Sequence, residues 1–270
     1  MISFPNAKVN LGLLITEKRP DGFHNLETVF YPVPWTDILE VIIGDGAPFE
    51  MTMSGLAVNG PLEHNLCYKA WKLLAAQHKL PPLKAHLHKI IPMGAGLGGG
   101  SSDASFMLKL INSVCDLHLS DQYLANLAAQ LGSDCPFFVH NQPMLATGRG
   151  EILEPISVSL ADHHIVIVMP PLTVGTAEAY SWITPNPAIS SLKTVISQPL
   201  SQWQGTLIND FEQPVFAHYP LIKNIKQQLL DAGAIYASLS GSGAAVFGIF
   251  KTIPEEKIKF NDCQVFTGSL

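Results

Sequence analysis

Charge is scarce in this 270-residue chain. Asp, Glu, Lys and Arg make up 14% of it, and no stretch gathers basic residues. An average protein carries about a quarter charged residues. With 16 basic against 22 acidic side chains the formal net charge is −6, so a nucleic-acid surface is not expected. Any phosphate has to be held by backbone amides and a few placed cations. Paired cysteines are missing too. Cys67, Cys115, Cys135 and Cys263 lie far apart with no CxxC among them, which argues against structural zinc and for reduced thiols in a cytoplasmic protein. His86 with His88, and His163 with His164, are pairs without carboxylate or cysteine companions at ligand spacing, so a surface role is expected for them. Long apolar runs are absent. Ile165 to Met169 ends at Pro170-Pro171, too short to span a bilayer. The opening residues lack the basic and apolar regions of a secretory signal. The expected partner is a small molecule, not nucleic acid or membrane.

Glycine, by contrast, is concentrated. Pro92-Met93-Gly94-Ala95-Gly96-Leu97-Gly98-Gly99-Gly100-Ser101-Ser102-Asp103 holds five glycines in seven residues. Ala104, Met107, Leu108, Ile111 and Cys115 then recur at helix spacing, which predicts a helix capped by Ser101 or Ser102. Glycine lets backbone approach a ligand closely, and helix N–H groups with the dipole behind them attract anions. A glycine-rich surface loop that binds nothing is the alternative. Gly100 stands where a Walker A loop has lysine. Gly94, Gly96 and Gly99 satisfy G-x-G-x-x-G, but the context is wrong for a dinucleotide fold. Lys84 to Ile91 alternates like an antiparallel strand, and no clear strand ending in an acid follows the helix.

The rest of the chain reads as mixed strands and helices without regular alternation, which predicts α+β architecture. Ala7 to Ile15 is a strand with Val9, Leu11, Leu13 and Ile15 on one face and Lys8, Asn10 and Gly12 on the other. A solvated second face is the plain reading of Lys8 alone. Arg19 to Gly22 is a turn, followed by Phe23, His24 and a strand over 27–33. Strands 37–43 and 49–53 follow, joined by Gly44-Asp45-Gly46. Asn65 can cap a helix with Leu66, Ala70, Leu73 and Leu74 inward. Ser120 caps another helix, which Gly132 ends. Pro136 then stops any helix and leaves Asp134 at a sharp junction, where a turn-capping aspartate is the ordinary reading. Hairpin-like pieces surround Thr147 to Gly150. A boundary near 157–162 divides the chain into 1–158 and 159–270. In the second part we expect a strand at 164–169, helices at 177–183, 192–197 and 202–209, and a longer helix using Val215, Leu221, Ile222, Ile225 and Leu229. Strands 235–239 and 245–250 flank Ser240 to Gly243, and a short helix from Pro254 and a strand at 264–267 end the chain.

Three segments together resemble the GHMP kinases, the galactose, homoserine, mevalonate and phosphomevalonate kinases and their relatives. They are Ala7-Lys8-Val9-Asn10-Leu11, the glycine loop, and the second glycine turn Ser240-Gly241-Ser242-Gly243-Ala244. The resemblance covers the whole chain. It implies a two-domain kinase with its active site in the cleft between domains, ATP over the glycine loop, and Gly241, Ser242 and Gly243 beside the phosphates. Lys18-Arg19-Pro20-Asp21-Gly22-Phe23-His24 and Leu131-Gly132-Ser133-Asp134-Cys135-Pro136 narrow it to members acting on a cytidine-diphosphate conjugate. By that likeness Asn65 is on the adenine side. Asn10, Phe23, His24, Thr176 and Tyr180 are acceptor residues, with Phe23 replacing the usual tyrosine. Phe23 could instead be a core residue anchoring its turn. Chemistry agrees. Phosphoryl transfer requires positioning and charge stabilisation, and a carboxylate to take the hydroxyl proton. Asp134 is the expected base and Lys8 its charge partner. Magnesium is expected on the phosphates. Ser101 or Ser102 is its first candidate ligand, and Asp103, otherwise a first-turn complement to the helix dipole, is the alternative. A different GHMP kinase would share the three segments without the Asp-Gly-Phe-His stretch. A non-catalytic relative would be expected to lose Lys8 or Asp134. An NAD-dependent oxidoreductase would bind NAD(H) in place of ATP.

Overall fold

The computed structural model describes residues 1–186, 191–253 and 259–270. They form two compact units, each discontinuous in sequence. One comprises 1–7, 35–93 and 98–142, the other 8–34, 94–97 and 143–270.

The first unit is a four-stranded sheet under helices. Its strands are β1 (Ile2–Ser3), β4 (Ile38–Ile43), β5 (Phe49–Gly55) and β6 (Leu83–Lys89), in the order β1-β4-β6-β5. The alternation of β6 works as a two-faced strand requires: Leu83, Ala85, Leu87 and Lys89 are buried while Lys84, His86 and His88 are not. Its pairing differs from the antiparallel expectation on one edge. β6 runs antiparallel to β4 and parallel to β5. The turn at 44–46 therefore does not make a hairpin, because β6 lies between the strands it joins. Leu39, Val41, Leu83, Ala85 and Leu87 pack against Cys67, Leu74, Met107, Leu108 and Ile111. Those residues come from α1 (Leu66–Ala75) and α2 (Gly99–Val114), with α3 (Asp121–Ala128) and α4 (Cys135–His140) completing the layer. Asn65 caps α1 by accepting from Cys67 N–H, and Ser120 caps α3. α3 ends at Ala128 with Ala129 as its C-cap, so Gly132 is not its terminator. Pro136 also acts opposite to expectation. It occupies the first turn of α4, where a missing N–H costs nothing, and so opens a helix.

The second unit holds two sheets. One has the order β2-β3-β7-β8, from β2 (Asn6–Lys18), β3 (His24–Thr36), β7 (Met144–Thr147) and β8 (Ile152–Pro155). The other has the order β10-β11-β9-β12, from β9 (His164–Met169), β10 (Tyr236–Leu239), β11 (Val246–Phe250) and β12 (Gln264–Ser269). Helices α5 (Thr176–Ser181), α6 (Leu192–Ile196), α7 (Glu212–His218) and α8 (Pro220–Asp231) belong to it. The single long helix expected here is broken at Tyr219, because Pro220 cannot continue α7 and instead begins α8. The helix expected over 202–209 is a 3₁₀ turn at Leu200–Gln202 followed by irregular chain. That chain is fixed to β2: Leu13 N–H donates to Ile208 O, and Asp210 N–H to Leu13 O. Residues from Pro254 that read as a helix lie outside the described residues. Among the described residues no helix is long and apolar enough to cross a membrane.

Candidate active site

The glycine loop begins where β6 stops. Ile90 and Ile91 donate their N–H groups to Asp37 Oδ1 at 2.5 and 2.8 Å. The helix then starts earlier than the serines indicated. Gly98, at φ +70°, is the N-cap of α2, and it has no side chain to cap with. Ser101 and Ser102 fall inside the first turn. Ser102 Oγ is buried without a hydrogen-bond partner, and Ser105 Oγ bonds the carbonyls of Ser101 and Cys135. The loop's other end is locked to the second glycine turn. Ala245 N–H donates to Ala95 O, and Ser240 Oγ to Gly96 O at 2.8 Å. A Cβ on Gly96, at φ +76°, would stand 1.9 Å from Ser240 O, so only glycine fits. Gly241 packs less tightly against the same loop, its own Cβ position being 3.3 Å from Gly96 Cα and 3.5 Å from Asn10 Oδ1. Asn209, which the sequence reading passed over, holds this turn by donating to the carbonyls of Leu239 and Gly241.

Under the start of α2 lies a buried charge cluster. Lys89 Nζ donates to Asp37 and, at 2.9 Å, to Asp103 Oδ2. Burial would lower the lysine's pKa, but the two carboxylates outweigh it and the net shift is upward. Burial pushes Asp103 up to about 7. Asp103 is therefore no exposed first-turn acid, and its engagement with Lys89 disfavours it as a magnesium ligand. Beside the cluster is a cavity of about 240 Å³ lined by Asn65, Leu66, Lys89, Met93 and Gly100 among others. It brings together three of the residues expected on the nucleotide side, Asn65, Met93 and Gly100.

Lys8 is buried, 3% exposed, contrary to the solvated reading. Both faces of β2 are covered. Its ammonium donates to Asn10 Oδ1 at 2.6 Å and lies 4.9 Å from the Phe30 ring centroid. Asn10 Nδ2 donates to Thr28 Oγ1, which donates to Gly12 O. Thr28 and Phe30 are additions to the expected set. Asp134 occupies the N-cap position of α4 with αR backbone and makes no side-chain cap bond there. It precedes Cys135, whose thiol burial pushes up to about 11, an inert neighbour.

The acceptor candidates belong to the second unit. Phe23 is 54% exposed, so it is not a core anchor. The His24 ring stacks on Tyr180 at 5.0 Å and 25°, and Tyr180 meets Phe211 edge-on. Desolvation, then Lys18, lowers the His24 pKa. Thr176 opens α5. His86 bonds Thr52 and Ser54, and His88 bonds Ser54. Among the described residues no three His, Cys, Asp or Glu side chains could together hold a metal.

The chain resembles known proteins in sequence and in fold. Residues 65–142 match the GHMP kinases N-terminal domain, and 197–260 match the GHMP kinases C-terminal domain. A 4-diphosphocytidyl-2-C-methyl-D-erythritol kinase of Parabacteroides distasonis is 48% identical over the whole of both chains. One of Bacteroides fragilis is 53% identical over 96% of this chain and 94% of its own. A crystal structure of 4-(cytidine 5'-diphospho)-2C-methyl-D-erythritol kinase superposes with a TM-score of 0.76 at 32% identity, covering 92% of this chain and 89% of that one. The fold alone is shared with Methanococcus jannaschii mevalonate kinase, at TM-score 0.74 and 14% identity over 99% and 97% of the chains.

Proposed function

Since the chain belongs to the GHMP kinase family, we propose that it transfers the γ-phosphoryl group of ATP to the 2-hydroxyl of 4-diphosphocytidyl-2-C-methyl-D-erythritol, in the non-mevalonate route to isoprenoid precursors. The observation that carries the reading is the loop. Its backbone is stripped of side chains at Gly96 and Gly98, held from behind by Ser240, and delivered to the start of a 16-residue helix. Such a helix start presents N–H donors and positive dipole to an anion. Amides from Gly96 to Ser102 hold the β- and γ-phosphates. Asn65, Pro92 and Met93 face the adenine side. Lys8 stabilises the developing alkoxide while Asp134 takes its proton, and Asn10 holds the Lys8 ammonium in place. Phe23, His24, Thr176 and Tyr180 receive the cytidine end.

Magnesium suits the same reading. The unpartnered Ser102 Oγ supplies a hydroxyl at the helix start, and Ser101 or Ser102 would hold the ion together with the phosphates. When bound, it supplies charge neutralisation on the transferring group.

The test is a coupled ADP-release assay across hydroxylated acceptors, cytidine-diphosphate conjugates included. Turnover is expected with 4-diphosphocytidyl-2-C-methyl-D-erythritol. Preference for an acceptor without cytidine would move the chain to another GHMP activity. In the same assay Asp134→Asn should lower kcat by at least ~10²-fold, the low end for a positioned acid–base group. ATP affinity should hardly change. Near-normal turnover in the folded variant would remove Asp134 from the chemistry.

A further inference from the structure

The exposed Phe23 ring is not free on both faces. The guanidinium carbon of Arg149 lies 4.9 Å from its centroid. The two residues sit on separate turns that the backbone ties together. Leu26 N–H donates to Gly148 O at 2.7 Å. On the first turn, Arg19 N–H donates to Phe23 O, and Asp21 Oδ1 accepts the Phe23 N–H at 3.1 Å. On the second, Glu151 accepts the Arg149 N–H at 2.5 Å through Oε2 and stands 3.6 Å from its guanidinium through Oε1. Arg149 thus has both its backbone and its side chain steered toward the ring. A phenyl ring has no polar atom of its own to fix its orientation. The cation covers one face, so the 54% exposure of Phe23 lies on the rest of the ring.

We infer that Arg149 is a specificity-determining positioning residue. It holds Phe23 by one face so that the other stacks a pyrimidine base of the acceptor. This rests on the proposed cytidine-linked acceptor and deepens it. A guanidinium is well suited to the task, being planar, permanently charged and weakly hydrated enough to lie on a ring. The base is a neutral π system, and stacking on a pre-positioned ring spares it the ordering cost that a rotating phenyl would impose.

The experiment is a pair of kinetic cycles on the full-length enzyme, reading acceptor KM, ATP KM and kcat, with 4-diphosphocytidyl-2-C-methyl-D-erythritol as acceptor. Arg149→Ala should raise acceptor KM about 2- to 5-fold, the worth of an exposed cation–π contact. ATP KM and kcat should stay put. Arg149→Lys, which keeps a cation, should recover most of the loss, whereas Arg149→Leu should not. Phe23→Ala should raise acceptor KM by about 5- to 150-fold, as loss of a base–aromatic stack predicts. Arg149→Ala added to Phe23→Ala should then cost nothing further, because its effect passes through the ring. If Phe23→Ala raises acceptor KM but Arg149→Ala does not, or if Arg149→Ala costs the same with and without Phe23, the role assigned to Arg149 falls and the cytidine reading stands. If Phe23→Ala leaves acceptor KM unmoved, the cytidine reading itself falls and takes this inference with it.

Discussion

Among the described residues two lysines are buried, and their surroundings differ. Lys89 is 1% exposed and donates to two carboxylates, Asp37 and Asp103, within the first unit. Lys8 is 3% exposed, and its neighbours in the second unit include a neutral amide and a ring, those of Asn10 and Phe30. Burying a charge is costly unless it is paired and hydrogen-bonded. Lys89 meets that condition locally. It fastens the end of β6 to the approach of β4 and to the first turn of α2, so the glycine loop leaves from fixed supports. Lys8 donates into a hydrogen-bond chain that runs through Asn10 and Thr28 to the Gly12 carbonyl. That chain fixes the direction of the ammonium through its amide neighbour. The difference separates a lysine that holds the fold from the one proposed above to stabilise charge that develops during a reaction.

The largest expected effect breaks this contrast at its structural end. Lys89→Met would leave two carboxylates facing each other in the core. Removing one partner of a buried ion pair costs about 3–5 kcal/mol. Denaturant unfolding should show a loss of that size. A variant that unfolds at the wild-type midpoint yet no longer binds ATP would make Lys89 a ligand and erase the distinction.

Lys8→Met tests the other end. It should lower kcat by about 10²–10³-fold, as loss of one preorganised electrostatic contact to a transition state does. Its stability loss should be smaller than that of Lys89→Met, about 1–2 kcal/mol, from leaving Asn10 Oδ1 without its donor. Kinetics and melting on the same preparation decide it. A rise confined to ATP KM would make Lys8 a nucleotide ligand.

The sequence discloses the two lysines unequally. Resemblance to the GHMP pattern singles out Lys8, the glycine loop and the Ser240 turn, because three segments in that order are specific where each alone is not. The burial of Lys8 was not legible. One polar stripe on a strand reads as a solvated face unless the packing on its far side is known, and that packing comes from residues far along the chain. Lys89 carried a readable signal. Leu83, Ala85, Leu87 and Lys89 share one face by alternation, and a lysine on an apolar face needs acids opposite it. Its acids sit 52 residues before and 14 residues after it, a separation that period alone cannot bridge. The helix cap was misread for a different reason. Serine is the usual N-cap, but Gly98 in the left-handed region leaves the N–H groups beyond it without an intervening side chain. Pro136 is read as a stop and Pro220 is passed over inside one long helix, yet each begins a helix, the position proline favours.

The smallest expected effect sharpens the account of Lys89 itself, since one ammonium cannot fully neutralise two carboxylates. Asp37 accepts three donors, from Lys89, Ile90 and Ile91. Asp103 accepts from Lys89 through Oδ2, and its Oδ1 is buried without a partner. Burial accordingly pushes Asp103 up to about 7. The sign follows from which state holds the proton. Between about pH 4 and pH 7 folded Asp103 keeps a proton that the unfolded chain has released. Its contribution to stability is fully present below about pH 4 and disappears as pH rises through about 7. Asp103→Asn keeps the shape and has no proton to lose. Its stability profile should therefore be flatter than the wild type's from pH 4.5 to about 7.5, with the two proteins drawing together or crossing at the upper end. Unfolding midpoints measured at half-unit steps give the comparison. Parallel profiles would mean that Asp103 is ionised throughout, and that Lys89 is shared between two full charges.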